Sequence, residues 1–193
     1  MTPRAVIVDY DPEWPRRADV LVATLASRLG DAARRVDHIG STAIPGMAAK
    51  NVFDIQVSVD DLDVATAAFD APLRSLGFER SACEHDHVPA GSGDDPDVWV
   101  KRFWSRRESP EGDVNLHVRR VGSPNERLAL LFRDWFRAHP SAVPAYAAFK
   151  RALADAVPNS GAYSDVKDPV VDLVVTIAET WASHRSWAPG AQG

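Results

Sequence analysis

An α/β (α+β) fold, with a small mixed sheet covered by helices and a C-terminal helical extension, is predicted by three features of this chain. Two strand-like runs, residues 36–39 and 52–59, flank a Gly40-Ser41 turn. A further strand-like pair, 98–104 and 114–121, follows, and from Ser123 onward apolar residues recur at helical spacing. The 193 residues and their ordinary apolar content fit one domain, 1–193, with its sheet core over about 5–121 and its helical part over about 123–186.

Residues 5–8 form a short β-branched run, read as a strand or extended arm that ends at the turn from Asp9 to Pro12. Trp14, Ala18, Leu21, Val22, Leu25 and Leu29 then share one face of a helix, with Gly30 where a left-handed cap is common. In the second core strand Phe53, Ile55, Val57 and Val59 alternate with Asp54, Gln56 and Ser58, so Asp54 and Gln56 share a face. Between the core strands, Pro45-Gly46 implies a turn or a very short helix. Residues 60–76 read as a helix bent near Pro72 and closed by Gly77.

The polar stretch 84–97 reads as a mobile loop, a solvated connection being favoured over a lid, and His85 and His87 within it as hydrated. The strands 98–104 and 114–121 suggest an antiparallel hairpin. Strand parity puts Trp99 and Trp104 on opposite faces, one in the core and the other exposed or interfacial. Ser123 as N-cap, Pro124 at the first helical position and Glu126 closing a capping box start a helix running to about Ala138. A helix from Ser141 follows, then one from Asp168-Pro169, with residues 163–167 as a loop clasp before it and residues 186–193 as a frayed tail.

Charge and cysteine content narrow the function. A formal charge of -5 argues against a duplex DNA partner. Cys83 is the only cysteine, which excludes an internal disulfide and a multi-cysteine zinc site. Neither a signal-like segment nor a membrane-spanning run is evident, so a soluble, cytoplasmic protein without a membrane partner is expected.

The Gly40-Ser41 turn followed by Asp54 in the next strand has the layout of a phosphate-and-metal site. Glycine lets backbone amides approach a phosphate, serine adds a hydroxyl, and a carboxylate can hold the accompanying cation. Ser41 could equally cap a short helix. His38-Ile-Gly-Ser-Thr-Ala-Ile-Pro-Gly46, the opening Val8-Asp-Tyr-Asp-Pro-Glu-Trp-Pro15, Asn115-Leu-His-Val118, Leu131-Phe-Arg-Asp-Trp135 with His139-Pro140, and Tyr163-Ser-Asp-Val-Lys167 together resemble the GrpB family of the polymerase-beta-like nucleotidyltransferase superfamily. The resemblance runs from about Val6 to the last helix. It implies a nucleotidyltransferase-like sheet and a nucleotide or phosphorylated small molecule as ligand, with magnesium or manganese as cofactor.

On that resemblance Gly40 and Ser41 would hold phosphates and Asp54 a metal. Lys50 could neutralise phosphate, and Asn115, Arg133 and Lys167 could touch the ligand. His117 is a candidate general base, or equally a structural histidine. His38 could join His117 and Asp54 around a metal, and Lys150 and Tyr163 are further candidates for gripping phosphate or a base. The departure is Gln56, where active superfamily members carry a second carboxylate; glutamine lends an oxygen without charge. Three readings follow: a nucleotidyltransferase acting on a small acceptor, a non-catalytic nucleotide-binding module with a degenerate metal site, or an accessory protein packed on a protein partner. An exposed apolar helix face in the C-terminal third would mark the last.

Overall fold

The computed structural model describes residues 4–110 and 112–190. Strands β1 (Arg35–Ile39), β2 (Val52–Val59), β3 (Glu79–Arg80), β4 (Lys101–Arg106) and β5 (Asp113–Arg120) form one sheet in the order β1-β2-β5-β4-β3. The β2–β5 pair at its centre is parallel and the other pairs are antiparallel, including the expected β4–β5 pairing. Helices α1 (Trp14–Leu29) and α2 (Leu62–Ser75) cover one face, while α3 (Pro124–Ala138), α4 (Val143–Ala156) and α5 (Ser160–Arg185) build a second layer.

The alternation in β2 decides which residues meet which layer. Phe53, Ile55, Val57 and Val59 enter the core beneath α1 and α2, with Val114, Leu116 and Val118 of β5 beside them. Asp54, Gln56 and Ser58 necessarily point the other way, toward α3. Because that face is also covered, its polar groups need internal partners. Ser58 Oγ donates to Glu126 Oε1 at 2.9 Å and Gln56 Nε2 to the Glu126 carbonyl at 3.1 Å.

Several expectations change here for identifiable reasons. Glu126 does not close a capping box: it is buried and its carboxylate accepts from Ser58 and Arg35, while the Ser123 hydroxyl bonds Arg120 O and Asn125 Oδ1. Trp99 lies in a 3-10 turn, Pro96–Trp99, rather than in β4, so strand parity does not apply and both Trp99 and Trp104 are buried. The last helix starts at Ser160, not at Pro169. Asn159 Oδ1 caps it by accepting from Ala162 N at 3.0 Å, and Pro169 sits inside it. Residues 163–167 are therefore helical, with Tyr163 buried against Leu153 and Ala154 of α4.

Two further readings are corrected by tertiary contacts. Loop 84–97 is anchored: Lys101 N donates to Glu84 O, Asp86 forms a buried ion cluster, and His87 Nε2 lies 3.0 Å from Asp172 on α5. Trp187 is docked, its indole donating to Asp134 Oδ2 at 3.1 Å, so the tail is not frayed at that point; residues 191–193 lie outside the described residues. No helix among the described residues is long and apolar enough to cross a membrane.

The partnering of Glu126 generates a stability prediction. Glu126→Ala leaves the buried Ser58 hydroxyl without its acceptor and should cost about 1–3 kcal/mol in urea denaturation. The exposed Glu13→Ala should stay within about 0.5 kcal/mol of the parent.

Candidate functional site

A cleft of about 550 Å³ opens between the polar face of the sheet and the N-terminal half of α5, lined by Ser41, Lys50, Asp54, Lys101, Asn115, His117, Lys150, Tyr163 and Lys167. A second lobe of about 290 Å³ adjoins it, sharing Ser41, Asp54, His117 and Lys167, and is walled by Leu128, Phe132, Tyr146, Val171 and Val175. Gly40 turns the chain out of β1 with φ 69°, a left-handed conformation suited to glycine. A Cβ at Gly40 would overlap the Asp54 carboxylate, so the missing side chain makes room for Asp54 itself.

Asp54 is tightly engaged. Its Oδ1 accepts from Asn115 Nδ2 at 2.7 Å and lies 3.6 Å from His117 Nε2. Burial acts to raise its pKa, but His117, Asn115 and the Lys50 charge outweigh burial and hold the carboxyl well below the usual carboxylate range. His117 is lowered, first by burial and then by the Arg119 cation, which favours the neutral ring. Arg119 Nη2, which can only donate, lies 3.3 Å from His117 Nδ1, which makes Nδ1 the acceptor and puts the ring proton on Nε2, facing Asp54. The basic nitrogen of His117 is thus occupied, a geometry that suits a positioning histidine better than a general base.

Behind His117 the side chains form a buried ionic cluster. Asp86 accepts from Lys101 Nζ at 2.6 Å, Arg119 Nε at 2.8 Å and Asn125 Nδ2 at 3.0 Å. Burial alone would raise the Asp86 pKa, yet Arg119 and Lys101 drive it far below the ordinary carboxylate range. Sequence reasoning missed this cluster, because Asp86 sits in a polar loop and its partners are distant in the chain. The only cue was that Lys101 and Arg119 fall in the two strands expected to pair as a hairpin.

Lys150 is the most unusual group in the cleft. It is 2% exposed, its Nζ donates to Ser41 Oγ at 2.8 Å, and the Tyr146 ring lies 5.3 Å away. Burial, reinforced by the Lys167 charge, pulls its pKa down to about 7. Lys50 is lowered too, chiefly by burial, and sits over the Tyr163 ring, whose phenol burial pushes up to about 12. The chain has four lysines, and all of them line this cleft.

The structure brings Gly40, Ser41, Lys50, Asp54, Asn115, His117 and Lys167 together around the cleft. It does not bring Gln56 or Arg133 there. Gln56 is fully buried, accepting from Arg119 Nη1 at 2.6 Å, and Arg133 is held by Asp134 Oδ1 and the His38 carbonyl inside the α3 layer. His38 lies on the other sheet face, against Phe53 and Thr42, where burial lowers its pKa to about 4; it cannot join His117 around a metal. Among the described residues no group of three or more His, Cys, Asp or Glu is disposed to hold a metal ion. Asp54, bonded to the Asn115 amide and outside any group of three or more potential metal ligands among the described residues, does not fit a cation held by the protein alone.

A family model described as GrpB protein matches residues 4–176. The chain belongs to the GrpB family. UPF0157 protein BH1888 of Halalkalibacterium halodurans is 36% identical over 77% of this chain and 68% of its own length. Dephospho-CoA kinase of Mycolicibacterium paratuberculosis is 36% identical over 95% of the chain but only 48% of that protein; this GrpB family member spans about half the length of the dephospho-CoA kinases it matches. The crystal structure of the conserved protein GrpB from Enterococcus faecalis superposes with a TM-score of 0.71 at 24% identity, covering 91% of this chain and 99% of that one. Cid1 poly(U) polymerase with MgGTP bound superposes with a TM-score of 0.50 at 15% identity, over 75% of this chain and 43% of that one. The GrpB fold is therefore a nucleotidyltransferase-like fold.

Two expected outcomes follow from the buried groups. Gln56→Glu sets a carboxylate against the Glu126 carbonyl, so the variant should lose stability in denaturant titration and gain no affinity for free magnesium. Lys150 has its folded pKa near 7, below the ordinary 10.5. Between those values the unfolded chain binds the extra proton, so stability rises with pH there, and below pH 7 the full penalty of the buried charge is present. Lys150→Met should accordingly be more stable than the parent at pH 6, with the advantage shrinking toward pH 10 in urea titrations.

Proposed function

We propose that this GrpB family protein binds a nucleotide or another phosphorylated small molecule, with its phosphates at the Gly40-Ser41 turn beside Lys50, Lys150 and Lys167. The observation that carries this reading is the buried Lys150, hydrogen-bonded to Ser41 and without a carboxylate partner among the described residues. Asp54, Asp86, Asp165 and Asp168 line the cleft beside the four lysines, so it is the unpaired, buried Lys150 ammonium rather than a net positive charge that favours an anionic ligand, and charge-assisted hydrogen bonds to phosphate are the strong ones. The adjoining lobe, walled by Phe132, Leu128 and Val175, would take the less polar end of such a ligand.

Nucleotidyl transfer asks for more than this cleft offers. The position of a second carboxylate is held by buried Gln56, and the facing strand presents Asn115. Binding without nucleotidyl transfer is the reading these residues favour; magnesium or manganese would enter on the phosphates of the ligand. A second reading, an accessory role toward a protein partner, is favoured by the exposed Val166, Leu173 and Ile177 along α5.

Titration calorimetry with ATP, GTP, dephospho-CoA and tripolyphosphate tests the first reading. At least one should bind, and Ser41→Ala or Lys150→Met should weaken it about tenfold or more, the loss of one charge-assisted bond. Affinity should fall as pH rises from 6 to 9 and Lys150 loses its proton. If neither tripolyphosphate nor any of these nucleotides binds, the phosphate reading is abandoned.

A further inference from the structure

The chain holds four lysines against eighteen arginines, yet the cleft takes every lysine. Arginine would bind phosphate at least as well, so phosphate binding alone does not explain the choice. What an amine can do and a guanidinium cannot is lose its proton and act as a nucleophile. Lys101 is neutralised by Asp86, and Lys50 and Lys167 are only partly buried. Lys150 alone is buried, free of a carboxylate partner among the described residues, and bonded to a hydroxyl.

We propose that Lys150 is a nucleophilic lysine that forms an imine with the carbonyl carbon of a phosphorylated aldehyde or ketone, whose phosphate sits with Lys50, Lys167 and the Gly40-Ser41 turn. This rests on the phosphate-binding reading and narrows its ligand class. The groups facing Lys150 are Lys50 before β2, Asp54 on β2, Tyr146 and Arg151 on α4, and Tyr163 and Lys167 on α5. Of the charges that act most on Lys150, the cations Lys167, Arg151 and Lys50 outnumber the carboxylate Asp54, which together with burial keeps a share of the amine neutral near pH 7. The nitrogen lone pair adds to the carbonyl carbon as the carbon-oxygen π electrons move to oxygen, and one nitrogen proton is relayed through Ser41 Oγ to that oxygen, giving a carbinolamine. The hydroxyl then leaves as water with a proton taken from solvent as the nitrogen lone pair closes the C=N bond, and the second nitrogen proton returns to solvent. No electrons are gained or lost overall.

Imine trapping tests this on the full chain. Glyceraldehyde 3-phosphate with cyanoborohydride should give one adduct, seen by intact mass and mapped to Lys150 by peptide sequencing. Unphosphorylated glyceraldehyde should react at least about tenfold more slowly, the difference one phosphate contact makes. The labelling rate should rise through pH 7, well below the range of an ordinary lysine. Lys150→Arg should abolish the adduct, and Arg16→Lys, which adds an exposed lysine on α1 away from the cleft, should leave it unchanged. Should Lys150→Arg fail to fold, the peptide map of the parent protein decides alone. If tripolyphosphate binds by calorimetry but the adduct is absent, or is spread equally over Lys50, Lys167 and the N-terminus, the imine proposal is overturned while the phosphate reading stands. If tripolyphosphate neither binds nor slows labelling, the phosphate reading fails and this one with it.

Discussion

The central parallel pair of β2 and β5 is covered on both faces, and this constraint governs everything built on it. One face of β2 meets α1 and α2 with a run of apolar side chains, as a buried sheet requires. The other face carries Asp54, Gln56 and Ser58 into contact with α3, where water is excluded and each polar group needs a partner. Gln56 and Ser58 find theirs in Arg119 and Glu126. Asp54, at the end of the strand where α3 no longer covers it, is the one that reaches the cleft.

Arg119 links the buried interior to the surface loop. It bonds Gln56 on one side and Asp86 on the other, while its second nitrogen meets His117. Loop 84–97 is thereby anchored through Asp86 to the sheet and through His87 to α5, bringing a segment of polar composition over the cleft as a fixed wall. Electrostatic pairing replaces the apolar contacts that the loop lacks. Such a cluster is tolerated because Asp86 accepts from both Lys101 and Arg119 and Arg119 also donates to Gln56, since an ion left without partners in that position would be strongly unfavourable.

The chain distributes its two kinds of cation differently. Arginines serve structure: Arg133 bridges α3 to the carbonyl of His38, Arg137 bonds the Ala43 carbonyl, and Arg127 pairs with Glu179 between α3 and α5. Their planar forks suit fixed multi-bond joints. Lysines surround the cleft, where a compact charge on a flexible stem can answer a ligand or give up its proton. The Gly40 turn and Lys150 meet there through Ser41, so the sheet and the helical layer share responsibility for the site.

Periodicity made the strands β1 and β2, the helix α1 and the covered mixed sheet legible, because apolar alternation reports which face is buried before any partner is known. The Gly40-Ser41 turn and Asp54 were legible too, being close in sequence and set in local strand geometry. Partnerships across the fold were not. Glu126 reads as a capping residue, yet it answers Ser58 and Arg35 from 68 and 91 residues away; Pro169 reads as a helix start, yet the Asn159 cap and the packing of Tyr163 carry the helix through it. Gln56 illustrates the division. Its sequence position announces a missing carboxylate, while only the covering of that strand face by α3 decides that it is a buried hydrogen-bonding group rather than a ligand contact. Composition determined that lysine is scarce, and tertiary structure gathered the four lysines around one cleft, because burial and charge neighbours belong to positions in space that no local pattern encodes.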